Sequence, residues 1–304
     1  MHIRTIFCLF GIALFVQITI VNGQGCSDAG ICTLHSLKPQ TQTDQPQYKR
    51  QIKSGVSVGK ADHSILVIGS YVEYNQTFKE NWTWGSKLTA LAQSGNGIST
   101  SGLSDLFMNI TRKTKKSGNF TLGIKIPLML ADKRKNNLAL PMDYQASLGT
   151  YDLIAGYSFA FKKVQYVLGF QQPLSQNKNA FFSELYPTAS ALSSFTPTNH
   201  YQRKPDLMLR ISYPIQAGKK FKITPGVLPI YHLANDTYTD LSGLTKEITG
   251  SQGLTFNGTL FMDYQFDAHH TVQVNAGGPL KARQTRPDGL TRSYVFTVEY
   301  GYLF

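Results

Sequence analysis

The chain has 304 residues and a formal net charge of +12, yet charged residues make up only 16% of it. With 26 glycines, 18 phenylalanines and 16 tyrosines, the composition suits strands better than helices. After residue 23 no stretch approaches the roughly 20 apolar residues of a membrane helix, which excludes a helical membrane protein and leaves an exported soluble chain or a β-barrel.

Residues 1–23 carry a short basic start at His2 and Arg4, an apolar run from Ile6 to Val16, and Val21-Asn22-Gly23 for cleavage. This three-part pattern predicts an export signal whose removal leaves Gln24 first. The run is short for a retained anchor, and Gly23-Gln24-Gly25 lacks the Leu-type residue expected ahead of a lipidated Cys26. Cys8 leaves with the signal. Cys26 and Cys32 remain, and an oxidising compartment predicts a small disulfide ring between them. A metal site would need more ligands than His35 and Asp28 supply. Residues 36–47 are polar and rich in Gln, Thr and Pro, and read as a linker. The expected organisation is a signal at 1–23, a disulfide-ring segment with its linker at 24–47, and a barrel at 48–304.

From residue 48 onward about twelve alternating segments recur, at 48–60, 63–76, 79–93, 103–115, 118–129, 147–161, 163–176, 202–215, 219–234, 253–266, 269–283 and 290–304. Each is near the length of a tilted strand crossing a bilayer. In the fifth, Phe120, Leu122, Ile124 and Ile126 share a face opposite Thr121, Gly123 and Lys125. The ninth is the weakest, because Pro225 and Pro229 interrupt it. Tight turns at 115–117, 162–163, 217–219 and 266–268 alternate with longer connections at 130–146, 177–201, 235–252 and 284–289. The connection at 60–62 is short and departs from this rhythm. The asymmetry and the even strand count predict an all-β fold: a transmembrane antiparallel β-barrel of about 12 strands, with both termini on the periplasmic side.

Three segments that start at the long-loop end carry Asp followed by Leu: Asp105-Leu106, Asp152-Leu153 and Asp206-Leu207. With the leucines outward, Asp105, Asp152 and Asp206 face inward near the mouth, and the same alternation turns Glu73, Lys87, Lys125, Arg210, Asp263 and Glu299 inward. Two readings of these residues stand side by side. One is a salt-bridge network filling a narrow barrel; the other is a polar path with charged rings selecting solutes. On the last strand, Tyr294, Phe296, Val298, Tyr300, Tyr302 and Phe304 share one face, opposite Glu299. Tyr300, Tyr302 and Phe304 resemble the C-terminal assembly signal of bacterial outer-membrane barrels, and the strand at 48–60 is the expected partner across the seam. Glu299 is expected to face Lys125, Lys87 or Arg210.

No Ser/His or Asp/His spacing specifies a nucleophile and base, and no phosphate loop, zinc motif or dinucleotide fingerprint occurs. The expectation is a protein that is not an enzyme and needs no cofactor or metal. The lysines and arginines fall in turns such as Lys162-Lys163 and Lys219-Lys220, which favours solvated turns touching anionic lipid over a nucleic-acid surface.

The Gly102-Leu103-Ser104-Asp105-Leu106 stretch resembles the Gly-Leu-Gly-Asp-like strand start of the phenol-degradation MetA-like outer-membrane proteins, which are related to fatty-acid-transporter-type channels. The Cys26–Cys32 stretch, residues 88–102 and Pro141-Met142-Asp143-Tyr144-Gln145 are similar to a branch found in Bacteroidetes. Ser104 departs from the pattern, where Gly is usual. The resemblance covers most of the mature chain. It implies a channel or transporter for small solutes, apolar or aromatic compounds among them, in the outer membrane of a Gram-negative bacterium. It also implies that an N-terminal segment, here 24–47, plugs the lumen. Expected partners are outer-membrane lipid, the barrel assembly machinery and the solutes, with no nucleic acid. The alternative is a non-conducting structural or surface-binding barrel, whose loops 177–201 and 235–252 bind a partner.

Overall fold

The computed structural model describes residues 31–39, 48–114, 118–289 and 292–304. The signal at 1–23, Cys26 and most of the 24–47 segment lie outside the described residues, as does the turn at 115–117. Twelve antiparallel strands form one closed barrel: β1 (Arg50–Ala61), β2 (Leu66–Lys79), β3 (Trp82–Gly95), β4 (Ile98–Lys113), β5 (Gly118–Pro127), β6 (Asp152–Phe161), β7 (Val164–Pro173), β8 (Asp206–Ser212), β9 (Phe221–His232), β10 (Gly253–Gln265), β11 (His270–Lys281) and β12 (Arg292–Leu303). Each pairs with its chain neighbours, and β12 closes on β1 with Ser54 opposite Tyr300 and Val58 opposite Phe296. Among the described residues the only helical pieces are short 3₁₀ turns.

Closure satisfies the backbone ladder all round, so side chains sort by the pleat alone. On β1 and β2, Val56, Val58, Ile68 and Val72 are exposed, while Lys53, Ser57 and Glu73 are buried. On β12, Tyr294, Phe296, Val298, Tyr300, Tyr302 and Phe304 are exposed and Glu299 is 2% exposed. The apolar face is thus outside and the charged face inside, the reverse of a soluble barrel. A one-residue slip in any strand would turn its buried charges outward.

Two details differ from the sequence reading. The fourth strand, expected at 103–115, starts at Ile98, and a two-residue Asn96-Gly97 turn with both φ angles positive joins it to β3. Residues 94–102, outside the expected third and fourth strands, are rich in Ser, Gly and Thr, and those side chains hydrogen-bond across the hairpin, as in Ser94 Oγ to Ser99 Oγ at 2.9 Å. Asp105 therefore lies mid-strand. There a bulge opposite Thr89, between the Leu88 and Ala90 pairings, turns both Ser104 and Asp105 inward. In the ninth strand, Pro229 is accommodated where the β8–β9 ladder is incomplete: Met208 pairs with Ile230 and Ile211 with Val227, with no pairing between.

The long connections turn into the mouth instead of standing free. Leu140, Tyr144, Phe181, Leu192 and Phe195 pack with Ile65, Val67, Leu91 and Ile98 of the inner wall. A second cluster joins Met142, Leu148, Tyr201 and Ile248.

Candidate functional site

The lumen is built from alternate residues of every strand. At the short-turn end, Asn75, Thr77, Thr83, Asn109, Thr111 and Asn119 line a polar vestibule of about 420 Å³ that reaches up to His35 and Ser36 and is bordered by Lys49, Arg50, Lys113 and Glu80. Residues 31–39 lie above it, within the barrel. Ile31, Leu34 and Leu37 pack against Phe107, Ile154, Val167, Met208 and Leu228. The Cys32 sulfur lies 3.7 Å from Met208 Sδ. The wall is trimmed to receive this segment. A Cβ on Gly169 would come within 2.6 Å of Ile31 Cδ1, so glycine gives the clearance.

Charged wall residues hold the segment's backbone. Arg210 Nη1 donates to Leu37 O at 2.7 Å, Lys87 Nζ to Thr33 O at 3.3 Å, and Gln171 Oε1 accepts from Ile31 N at 3.1 Å. Lys38 in turn meets Glu299 at 3.2 Å. Beside the segment, Lys38, Lys87, Arg210, Ser57, Thr259 and Thr297 help line a small pocket of about 60 Å³.

All nine residues singled out as inward-facing are buried, and they gather in separate groups. Glu299 does not face Lys125, Lys87 or Arg210 as expected. It pairs with Lys53 at 2.6 Å and with Lys38, and Tyr71 donates to it. The reason is register: Gly55 sits directly opposite Glu299 across the β12–β1 seam, leaving room for Lys53 from the same inward row and for the Tyr71 ring. Higher up, Lys125 meets Asp152 at 2.9 Å, and Asp105 accepts from Ser104 at 2.8 Å and from Ser147 at 2.7 Å. Asp263 takes Gln273 at 2.6 Å and Lys222 at 3.6 Å. Glu73 accepts from Asn75 at 3.1 Å.

Asp206 belongs to a hub at the mouth that sequence reasoning missed. His232 Nδ1 lies 2.6 Å from Asp206 and Nε2 lies 2.8 Å from Asp236, a geometry that fits a ring donating from both nitrogens. Arg203 pairs with Asp206 and reaches Asp288 at 3.4 Å, while Arg283 meets Asp288 at 2.5 Å. Tyr201 donates to Asp236 at 2.7 Å. Three connections are thereby tied together. Only their scattered loop charges could have signalled this, and spacing in the chain does not show which loops meet. Next to the hub a cleft of about 1000 Å³ is lined by Asp62, His63, Asp143, Phe195, Arg286 and Tyr294, among others. Arg286 clamps Asp62 through two contacts of 3.0 and 2.8 Å, and His63 stacks on Phe195 with centroids 3.8 Å apart. Burial, reinforced by Asp62, pushes the Asp143 carboxyl up to about 7.

The same architecture occurs in a solved structure, and weaker likenesses to two others accompany it. An outer membrane channel from Pseudomonas putida F1 is 13% identical, with 88% of this chain and 100% of that chain covered and a TM-score of 0.59. The translocator domain of the autotransporter NalP from Neisseria meningitidis is 10% identical, covering 86% and 90%, with a TM-score of 0.48. The NanC porin is 8% identical, covering 84% and 98%, with a TM-score of 0.45. At these identities the likeness is one of fold. No family model and no curated protein matches the sequence.

Three outcomes follow from this geometry. In Gly169→Val the added side chain displaces Ile31, so thermolysin should cut ahead of Leu34 or Leu37 in the variant and not in the parent, with the heat-modifiable gel mobility of the barrel unchanged. Lys125→Met leaves Asp152 buried without its cation and should cost about 3 kcal/mol in urea unfolding, whereas Lys125→Met with Asp152→Leu should recover most of it. The third outcome concerns pH. The folded-state pKa of Asp143 lies above its unfolded value, so its contribution is full below about pH 4 and is lost as the pH rises through about 7. Protection of the mouth-loop amides, corrected for intrinsic exchange, should therefore fall between about pH 4 and 7 and stay level above that, and Asp143→Asn should abolish the fall.

Proposed function

We propose that this chain is an outer-membrane channel of a Gram-negative bacterium, passing small solutes passively through a narrow lumen. The observation that carries the reading is the inversion of the barrel: an apolar, aromatic outer face and a buried, charged and hydrogen-bonding inner face. A polar cavity below residues 31–39 and a small charge-lined pocket beside them support a path interrupted by that segment, which acts as the plug. The disulfide between Cys26 and Cys32 pins it. Asp105, Asp152, Asp206, Glu73, Lys87, Lys125, Arg210, Asp263 and Glu299 line the path and select among solutes. Apolar and aromatic compounds are the substrate class suggested by the family resemblance. In this reading the short turns and both termini face the periplasm, and the aromatic stripe ending in Tyr300, Tyr302 and Phe304 is what the assembly machinery recognises.

One observation favours a second reading, a non-conducting barrel that binds a partner with its loops. The mouth is crossed by buried ion pairs and the lumen is crossed by residues 31–39. Single-channel recording separates the two. Deleting 24–47 should raise conductance in planar bilayers several-fold, and the parent should let small sugars swell liposomes. Closed traces from both proteins, with no swelling, would leave the binding barrel as the better reading.

A further inference from the structure

Cations occur at both ends of the barrel: at the long-loop end some are buried in ion pairs and others, such as Arg134 and Lys135, are exposed, while at the short-turn end exposed cations stand beside aromatic rings. At the long-loop end Arg203, Arg283 and Arg286 are buried or half-buried and paired with aspartates. At the short-turn end Arg112-Lys113, Lys162-Lys163 and Lys219-Lys220 are exposed, as is Lys79. Lys79, Arg112 and Lys113 make no ion pair among the described residues, although Glu80 is their neighbour. These cations lie against the aromatic rim. Arg112 is 5.3 Å from the Trp82 ring centroid, and Lys162 is 5.7 Å from that of Phe161.

The β2–β3 turn, the end of β4 and the start of β5 border a cleft of about 690 Å³, lined by Lys79, Glu80, Asn81, Trp82, Arg112, Lys113, Thr114 and Phe120. Trp82 stands directly opposite Arg112 in the ladder, and Lys113 N donates to Asn81 O at 2.8 Å, fixing the end of β4 against the β2–β3 turn. Phe78 and Phe120 beneath are 49% and 44% exposed. Apolar rings at the edge of the belt with cations just beyond them reproduce the order of a lipid: acyl chain, then phosphate. A soluble anionic polymer would need the cations and not the rings.

We propose that this cleft is a binding site for the headgroup of an anionic glycerophospholipid, its phosphate held by Arg112, Lys113 and Lys79 and its glycerol end resting on Trp82 and Phe120. Juxtamembrane cations gain from anionic headgroups individually, and the gain falls with salt. The site rests on the membrane-spanning reading given above. It adds a lipid preference to that reading.

Trp82 is the reporter, because Trp84 is the only other tryptophan in the chain. The full-length Trp84→Phe protein is refolded into phosphatidylcholine vesicles containing equal fractions of phosphatidylglycerol and phosphatidylcholine, with one or the other brominated. The expected result is preferential quenching by brominated phosphatidylglycerol, corresponding to about a five-fold or greater preference at low salt. Arg112→Gln with Lys113→Gln, and separately Lys79→Gln, should reduce the preference, as should molar salt. Lys133→Gln with Arg134→Gln at the opposite end should leave it unchanged. Equal quenching by both brominated lipids overturns the headgroup site and leaves the membrane reading standing. No quenching by either overturns both.

Discussion

Main-chain closure between β12 and β1 is the constraint on which the remaining structure depends. Antiparallel pairing runs without a gap from Gln51 opposite Leu303 to Lys60 opposite Tyr294, and Arg50 and Phe304 exchange a further pair of backbone hydrogen bonds at 3.0 and 2.9 Å. With no free edge, the sheet can present an apolar face to a medium that offers no hydrogen bonds. The pleat then sends every second residue to the other side. An apolar exterior therefore forces the polar half of each strand into a confined interior, and charge placed there must find a partner or carry a large desolvation cost.

The interior follows from that requirement. Lys125 with Asp152, Lys53 and Lys38 with Glu299, and Lys222 with Asp263 are cross-strand or segment-to-wall pairs, each spanning neighbouring elements. Residues 31–39 bring both halves of what the wall needs. Their leucines and Ile31 cover the apolar inner patch of β4, β6, β7 and β8, and their carbonyls accept from Arg210 and Lys87. The segment is shaped by the wall in return, because Gly169 and Gly156 occupy places where a side chain would meet Ile31 or Leu37. Glycine inside a strand weakens it, so these positions trade strand stability for the fit of a lumenal segment.

The fold was legible because its signal is repeated twelve times and each repeat uses the same period. Phe120 to Ile126 and Tyr294 to Phe304 need only alternation to be assigned a face. Asp152 and Asp206 were placed at strand starts by the same rule. Where chain order stops carrying the information, the reading failed. Ser94 to Gly102 fell outside the expected strands because strand residues that hydrogen-bond laterally through hydroxyls have turn-like composition. Glu299 was given the wrong partners because alternation fixes the face and leaves the neighbour open. Lys53 was overlooked in the same way, since only the seam register brings it to Glu299. The mouth hub was invisible for a stronger reason: Arg203, Asp236 and Arg283 sit on three different connections, and their meeting depends on tertiary closure.

The two closures of the lumen differ in what replaces them when they open. Withdrawing residues 31–39 from the wall frees Arg210, Lys87 and Gln171 toward cavities that water can enter, so lost hydrogen bonds are exchanged for hydrated ones at a modest net cost. Opening the mouth hub is another matter. Asp288 sits between Arg203 and Arg283, and His232 sits between Asp206 and Asp236, all buried. Moving any one connection strands at least one of those charges before water reaches it, so the loops must move together or not at all. That difference makes the segment the more readily displaced barrier and the mouth the rigid one. It also explains why the large cleft at the rim lies beside the hub, bounded by the Arg286–Asp62 clamp and the His63–Phe195 stack, and not through it.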